Sequence, residues 1–313
     1  MVGLDPAIHG FRFGEKGMDA RIKSGHDDSR ESPATPGRVV TAGAAEIGFV
    51  AKEGRTRLSH LYQHDPLRVL FPDAPPGELP VAVLVTTSGG LVGGDRLAIG
   101  VEIGAGAAAH VTAQSAEKVY RSNGPDSVLD ISLTVGAGAR LEYLPPETIL
   151  FDAARLRRRA AVALAADAVL LAGEILIFGR IAAGERMASG LVHDAWDLRR
   201  EGRLVWADSF HIADDSLGSL LSKAADPAGL DGATACATLF LASPGAGAFL
   251  AGARESIAAS GMRGGATMVS GVLVARLLGT DAAALRRAYV RLAGHLRQAQ
   301  AGLPATLPGL WHV

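Results

Sequence analysis

Val101-Glu-Ile103 runs into Gly104-Ala-Gly106 and returns through His110-Val-Thr112. Further along, Leu133-Thr-Val135 runs into Gly136-Ala-Gly138 and returns through Leu141-Glu-Tyr143. A third, degenerate copy reads Val162-Ala-Leu164, Ala165-Ala-Asp167, Val169-Leu-Leu171. Aliphatic and β-branched residues on both sides of a small-residue turn predict strand, turn, strand, with glycine free to take positive φ. Repeated units of this kind predict a mainly β protein whose layered sheets are built from stacked hairpins. The copies are too few and too uneven for a regular solenoid.

Working outward, Ala45–Ala51, Thr56–Tyr62, Val81–Thr87 and Thr234–Leu241 read as strands, and Pro72, Pro75, Pro76 and Pro80 make the segment between the second and third a loop. Leu204, Trp206, Phe210 and Ile212 share one phase of a half-exposed strand. From Asp281 to Gln300, Leu285, Tyr289, Leu292 and Leu296 recur at a helical period, while Arg286, Arg287, Arg291 and Arg297 take the other phases. That predicts an amphipathic C-terminal helix with a basic outer face. A shorter helix is expected within Ser243–Gly261, with Ser243 as its cap. Residues 1–41 are rich in Gly, Asp, Ser, Pro and Arg and predict a flexible leader, followed by a single β-rich domain over 42–313.

The chain of 313 residues has 31 Lys plus Arg against 32 Asp plus Glu, a balance that excludes the global field of a general nucleic-acid binder. One cysteine, Cys236, excludes an internal disulfide framework and a Cys-based zinc finger, and a reducing compartment, the cytoplasm, is the expectation. The longest apolar stretch, 160–178, contains Asp167 and Glu174 and reads as core, not as a membrane span.

Thr86-Thr-Ser-Gly-Gly-Leu-Val-Gly-Gly-Asp95-Arg96 has neither the Lys-Ser/Thr pair of a P-loop nor dinucleotide glycine spacing. It reads as a close-packed double turn fixed by Asp95 and Arg96, with an anion-binding nest as its rival. A hydrolase would draw on Ser88, Ser115 or Ser189 with His110 or His193, none of them in a nucleophile elbow. His193, Asp194 and Asp197 lack a metal-binding register, and His60 and His64 fall on strand and loop. Glu142, Glu147, Asp152 and Glu174 stand inside apolar strands and turns. Either each is a core carboxylate holding an arginine, or together they wall a polar passage for a hydrated cation. Arg155, Arg157, Arg158 and Arg159 read either as a solvated sheet edge or as a docking patch for an acidic partner.

Several long strings resemble the urease accessory protein D family (UreD, called UreH in some organisms): Thr86 to Asp95, Thr112-x-Gln114-x-Ala116-x-Lys118-Val-Tyr-Arg121-Ser122, and Tyr143-Leu-Pro-Pro-Glu147-Thr-Ile-Leu-Phe-Asp152. Gly173-Glu-Ile-Leu-Ile-Phe-Gly-Arg180 and the closing Leu307-Pro-x-Leu-Trp311 fit the same pattern, so the resemblance spans Ala45 to the C-terminus. It implies a mostly β scaffold that is not an enzyme. Such a scaffold contacts UreF directly and the GTPase UreG through the complex, and assists nickel insertion into the urease apoprotein. No cofactor is expected to be tightly bound; nickel is expected in transit.

The resemblance implies that Asp95, Glu147, Asp152 and Glu174 line or support the nickel passage, where carboxylate oxygens suit weak, reversible holding. Pro146 stands where many members carry glutamine. Arg286, Arg291, Arg297 and Trp311 are the expected partner contacts, with a helix capping the sheet and Trp311 tucked beneath it as the alternative. A scaffold of this kind is expected to expose apolar area and to associate when prepared alone. The rival functions are a hydrolase using acidic pairs and a structural β-rich interaction protein without metal.

Overall fold

The computed structural model describes residues 41–213 and 229–312, so the expected leader lies outside the described residues. In chain order the first strands are β1 (Ala42–Lys52), β2 (Arg55–His64), β3 (Leu67–Leu70), β4 (Val81–Thr86), β5 (Arg96–Ile103), β6 (Ala108–Ala113) and β7 (Glu117–Val119). There follow β8 (Ser127–Val135), β9 (Arg140–Tyr143), β10 (Thr148–Leu150), β11 (Arg155–Leu164) and β12 (Val169–Phe178). The last are β13 (Leu191–Arg200), β14 (Arg203–Ile212), β15 (Ala235–Ala242), β16 (Arg263–Val269) and β17 (Val272–Gly279). They form two sheets, one ordered β14-β13-β11-β8-β5-β1-β2, the other β16-β17-β15-β12-β9-β6-β4-β3 with β10 and β7 continuing its lanes. The mainly β, layered architecture read from the sequence is the one observed.

The unit of that layering is an arch rather than a hairpin. β5 lies in the first sheet and β6 in the second, and β8 with β9 and β11 with β12 divide the same way. Successive copies then stack by parallel pairing, β5 on β8 and β8 on β11 in one sheet, β6 on β9 and β9 on β12 in the other. A parallel neighbour requires the chain to leave the sheet and return, and the excursion through the opposite sheet supplies that crossover. The glycine turns rest directly on one another. A Cβ on Gly136 would come within 2.9 Å of the Ala105 amide nitrogen, and Gly136 N–H donates to Ile103 O at 2.8 Å. True hairpins sit at the margins, β1 with β2, β13 with β14, and β16 with β17.

Alternation sends Ile99, Val101, Ile131, Leu133, Val162 and Leu164 inward to meet Leu141, Leu170 and Ala172 of the facing sheet. A second apolar layer lies between the other side of the second sheet and two helices, α1 (Leu250–Ser260) and α2 (Ala282–Ala301). Asp281 caps α2 by accepting the Ala284 N–H at 3.0 Å, and Gly302 ends it in a left-handed conformation. Ser243 caps nothing: a short 3-10 turn, Ala246–Phe249, leads into α1, and the Ser243 hydroxyl is buried without a partner. Gly245, left-handed at φ 70°, sets the entry angle instead. Residues 160–178 are core strands, and no described helix is long and apolar enough to cross a membrane.

Candidate functional site

Glu142, Glu147, Asp152 and Glu174, singled out in the sequence, are each held by an arginine. Glu174, on the inward phase of β12, accepts from Arg158 Nη2 at 2.7 Å and from Trp196 Nε1 at 2.9 Å, both reaching across from the first sheet. Arg158 also donates to both Asp194 oxygens, with Nε at 2.9 Å from Oδ1, and its Nη1 reaches Thr148 Oγ1 at 3.0 Å. Two carboxylates thus share one cation between the sheets. Burial, with the Asp194 charge next, pushes the Glu174 carboxyl up to about 8.

A second polar cluster lies on the opposite side of the second sheet, under α2. Glu142 on β9 pairs with Arg297, Nη2 to Oε2 at 3.1 Å, and with His110 of the adjacent β6, Nδ1 to Oε2 at 3.0 Å. Arg297 also binds Glu78 at 2.7 Å and donates to the carbonyls of Pro304 and Thr306, so it ties helix, sheet and C-terminal segment together. Burial alone would raise Glu142; the His110 hydrogen bond and charge, with the guanidiniums of Arg297 and Arg140, outweigh it and hold the carboxyl down at about 2.

The four residues expected to line a passage are not joined to one another. Asp95 accepts backbone N–H groups from Thr41 at 3.1 Å and Val92 at 2.9 Å and so fixes the glycine turn. Asp152 accepts the Ala188 and Ser189 amides at 2.9 and 3.1 Å and pairs with Arg121, and burial, outweighed by these hydrogen bonds, leaves its carboxyl below the ordinary range. Glu147 meets Arg286 at 3.2 Å, while its Oε2 is buried without a partner. Glu174 alone lies between the sheets. Among the described residues no three His, Cys, Asp or Glu side chains gather as a metal cluster.

The expected contact helix is also rearranged. Arg297 is fully buried, which removes it from the outer face; it lies four residues beyond Ala293 and eight beyond Tyr289, on the apolar stripe itself. Trp311 is buried too, stacked on Tyr289 with ring centroids 5.7 Å apart and covered by Arg286. This is the helix-capping arrangement held as the alternative. Arg287 and Arg291 remain exposed and, with Arg286, Val290 and Trp311, border a surface hollow of about 220 Å³.

The arginine run is neither edge nor uniform patch, because β11 is an interior strand between β8 and β13. Arg158 points inward; Arg155 and Arg157 clamp Asp126, and Arg159 pairs with Asp197. No hydrogen bond joins Ser88, Ser115 or Ser189 to His110 or His193: Ser88 donates to Gly90 O, and Ser189 to Asp152. The glycine string is a close-packing device. A Cβ on Gly90 would fall 2.6 Å from Lys118 O, and one on Gly93 would overlap the Ser122 side chain and Pro125 O. Gly93→Ala is expected to cost about 1–3 kcal/mol through overpacking, read as a lowered midpoint in urea unfolding.

The pattern described for the UreD urease accessory protein matches residues 41–312, the whole of the described body. The chain belongs to this family. Relatives named urease accessory protein UreD include one from Magnetococcus marinus, 48% identical over 276 residues, covering 87% of this chain and 94% of the relative. Another, from Methylobacterium sp., is 42% identical over 90% of this chain and 99% of its own. A third, from Mesorhizobium japonicum, is 42% identical over 84% and 92%. The strings that carry the UreD resemblance thus map onto the stacked arches, the glycine turn and the polar contacts that staple them.

Proposed function

We propose that this UreD-family chain is a non-catalytic scaffold that works in the cytoplasm, contacts UreF directly and UreG through the complex, and presents urease apoprotein for GTP-dependent nickel insertion. Family membership over residues 41–312 is the observation that carries this reading. Nickel is cargo in transit and no cofactor is tightly bound. Of the carboxylates in the body, Glu174 and Glu147 retain coordination capacity that Asp95 and Asp152 have committed to backbone amides. Glu147 Oε2 has no partner, and both hydrogen bonds from Arg158 and Trp196 fall on Glu174 Oε2. Oxygen donors of this kind hold a dication weakly, as release requires. Arg286 and Arg291 face the partner around the hollow, with Trp311 beneath Arg286, while Arg297 fastens the same helix to Glu78 and Glu142.

Co-expression with UreF, UreG and apo-urease tests the reading. Wild type is expected to elute with UreF in one peak and to raise urease nickel. Glu174→Gln and Glu147→Ala are each expected to lower nickel per urease several-fold with that peak intact. Unchanged nickel in both variants would remove these carboxylates from the route. Loss of the peak in the wild type would remove the scaffold role itself.

A further inference from the structure

Exposed apolar area is concentrated at one end of the first sheet. Of the large apolar side chains exposed among the described residues, Val50, Leu58, Leu61, Tyr62, Leu70 and Phe71 cluster on β1, β2 and the end of β3; Val92, Leu204 and Val269 lie elsewhere. Register explains the contrast. Ile47 pairs with Leu61 and Phe49 with Leu58, so the four share one face, yet Ile47 and Phe49 are 1% and 3% exposed while Leu61 and Leu58 are 39% and 44% exposed. The facing sheet ends at β3, so β2 overhangs it. Phe71, edge-on to Phe49 with centroids 6.3 Å apart, closes the floor of the overhang.

Among the described residues β2 is also a terminal strand, ten residues long and paired only with β1. Native edges of that length are ordinarily covered or interrupted by charge. Here Leu58 to Gln63 carries no Lys, Arg, Asp or Glu, and the cations Lys52, Arg55 and Arg57 gather at the hairpin tip with Glu53 as the one carboxylate among them. No ion pair engages Lys52, Arg55 or Arg57 among the described residues.

We infer that the β2 edge and the overhang beneath it form a docking surface for an extended, strand-forming segment of a partner protein, with apolar side chains alternating onto Leu58 and Leu61 and carboxylates facing Arg55 and Arg57. The free ladder supplies backbone hydrogen bonds, the overhang supplies burial for alternate side chains, and the basic tip selects an acidic flank. This rests on the scaffold reading and names one of its surfaces, away from the hollow on α2.

The experiment compares wild type, Leu58→Asp/Leu61→Asp and Arg55→Glu/Arg57→Glu for capture of UreF, UreG and apo-urease, each offered separately and together, alongside hydrogen exchange of the β2 amides and sedimentation. Both leucines are exposed, so an unchanged thermal midpoint is expected and confirms folding. The expected result is an affinity loss of about tenfold or more for one partner in the leucine variant, a smaller, salt-dependent loss in the arginine variant, and slower exchange along β2 in the wild-type complex. Full capture by both variants, with wild type assembling normally, would overturn this surface and leave the scaffold reading standing. A leucine variant that loses only self-association would assign the edge to a second copy, and faster β2 exchange on removal of residues 1–40 would assign it to the chain's own leader; either overturns the inference. Wild type capturing none of the three would overturn both readings.

Discussion

Arg297→Met is expected to lower the unfolding free energy by about 3–5 kcal/mol, among the largest effects of any single substitution in this chain. The arginine is fully buried and answers two carboxylates, Glu78 and Glu142, besides two carbonyls of the C-terminal segment. Methionine fills much of the volume but leaves Glu142 with only His110 and Arg140, and the segment at Pro304 and Thr306 loses its anchor. Urea unfolding would show a reduced midpoint at unchanged slope. Adding Glu142→Gln to Arg297→Met is expected to recover part of the loss, since one uncompensated charge is removed; a strictly additive double variant would show that the pair is not coupled. In the wild type, Glu142 is held at about 2 against an ordinary 4.5, so its contribution is complete above about pH 4.5 and fades as pH falls toward 2.

Arg158→Met is expected to be of similar size, about 3–5 kcal/mol near neutral pH, and to depend on pH in the opposite sense. With the guanidinium gone, Glu174 and Asp194 face each other between two sheets with no cation to neutralise them. Protonation is their only relief, so the variant should approach wild type as pH falls and diverge from it as pH rises. Glu174 already shows the direction in the wild type: its carboxyl is raised from 4.5 to about 8, so the folded state binds that proton more tightly and stability declines as pH rises between those values. Thermal midpoints from pH 5 to 9 would test both slopes. A pH-independent deficit in Arg158→Met would mean that lost packing, not stranded charge, governs the cluster.

Strand positions were legible because period-two alternation and small-residue turns are local signals: β1, β2, β4, β14 and β15 fall where the residues place them. Sheet membership was not. A strand, a glycine turn and a strand read alike whether the two strands share a ladder or face each other across a core, and only the stacking of one arch on the next decides it. The acidic residues were legible as paired core carboxylates, and Glu174, Glu147, Asp152 and Glu142 each do hold an arginine. Their partners were partly visible. Arg158 follows Leu156 and precedes Ala160, Val162 and Leu164 on the inward phase of β11, so a strict alternation reading separates it from Arg157 and Arg159. Asp194, on the inward phase of a strand not identified from the sequence, gave no comparable sign. Trp311 reads as an anchor by residue type, and in this fold it is buried against Tyr289 of α2 beneath Arg286.

Because each arch hands the chain to the opposite sheet and the next arch lies flat on it, the body behaves as a short coil closed at its margins by hairpins. A coil of this kind can gain or lose one complete turn without altering either closure. Length variation within the family should therefore come in whole turns of the coil or in the surface loops, and a deletion ending partway through a turn should be lethal to folding even where it removes fewer residues.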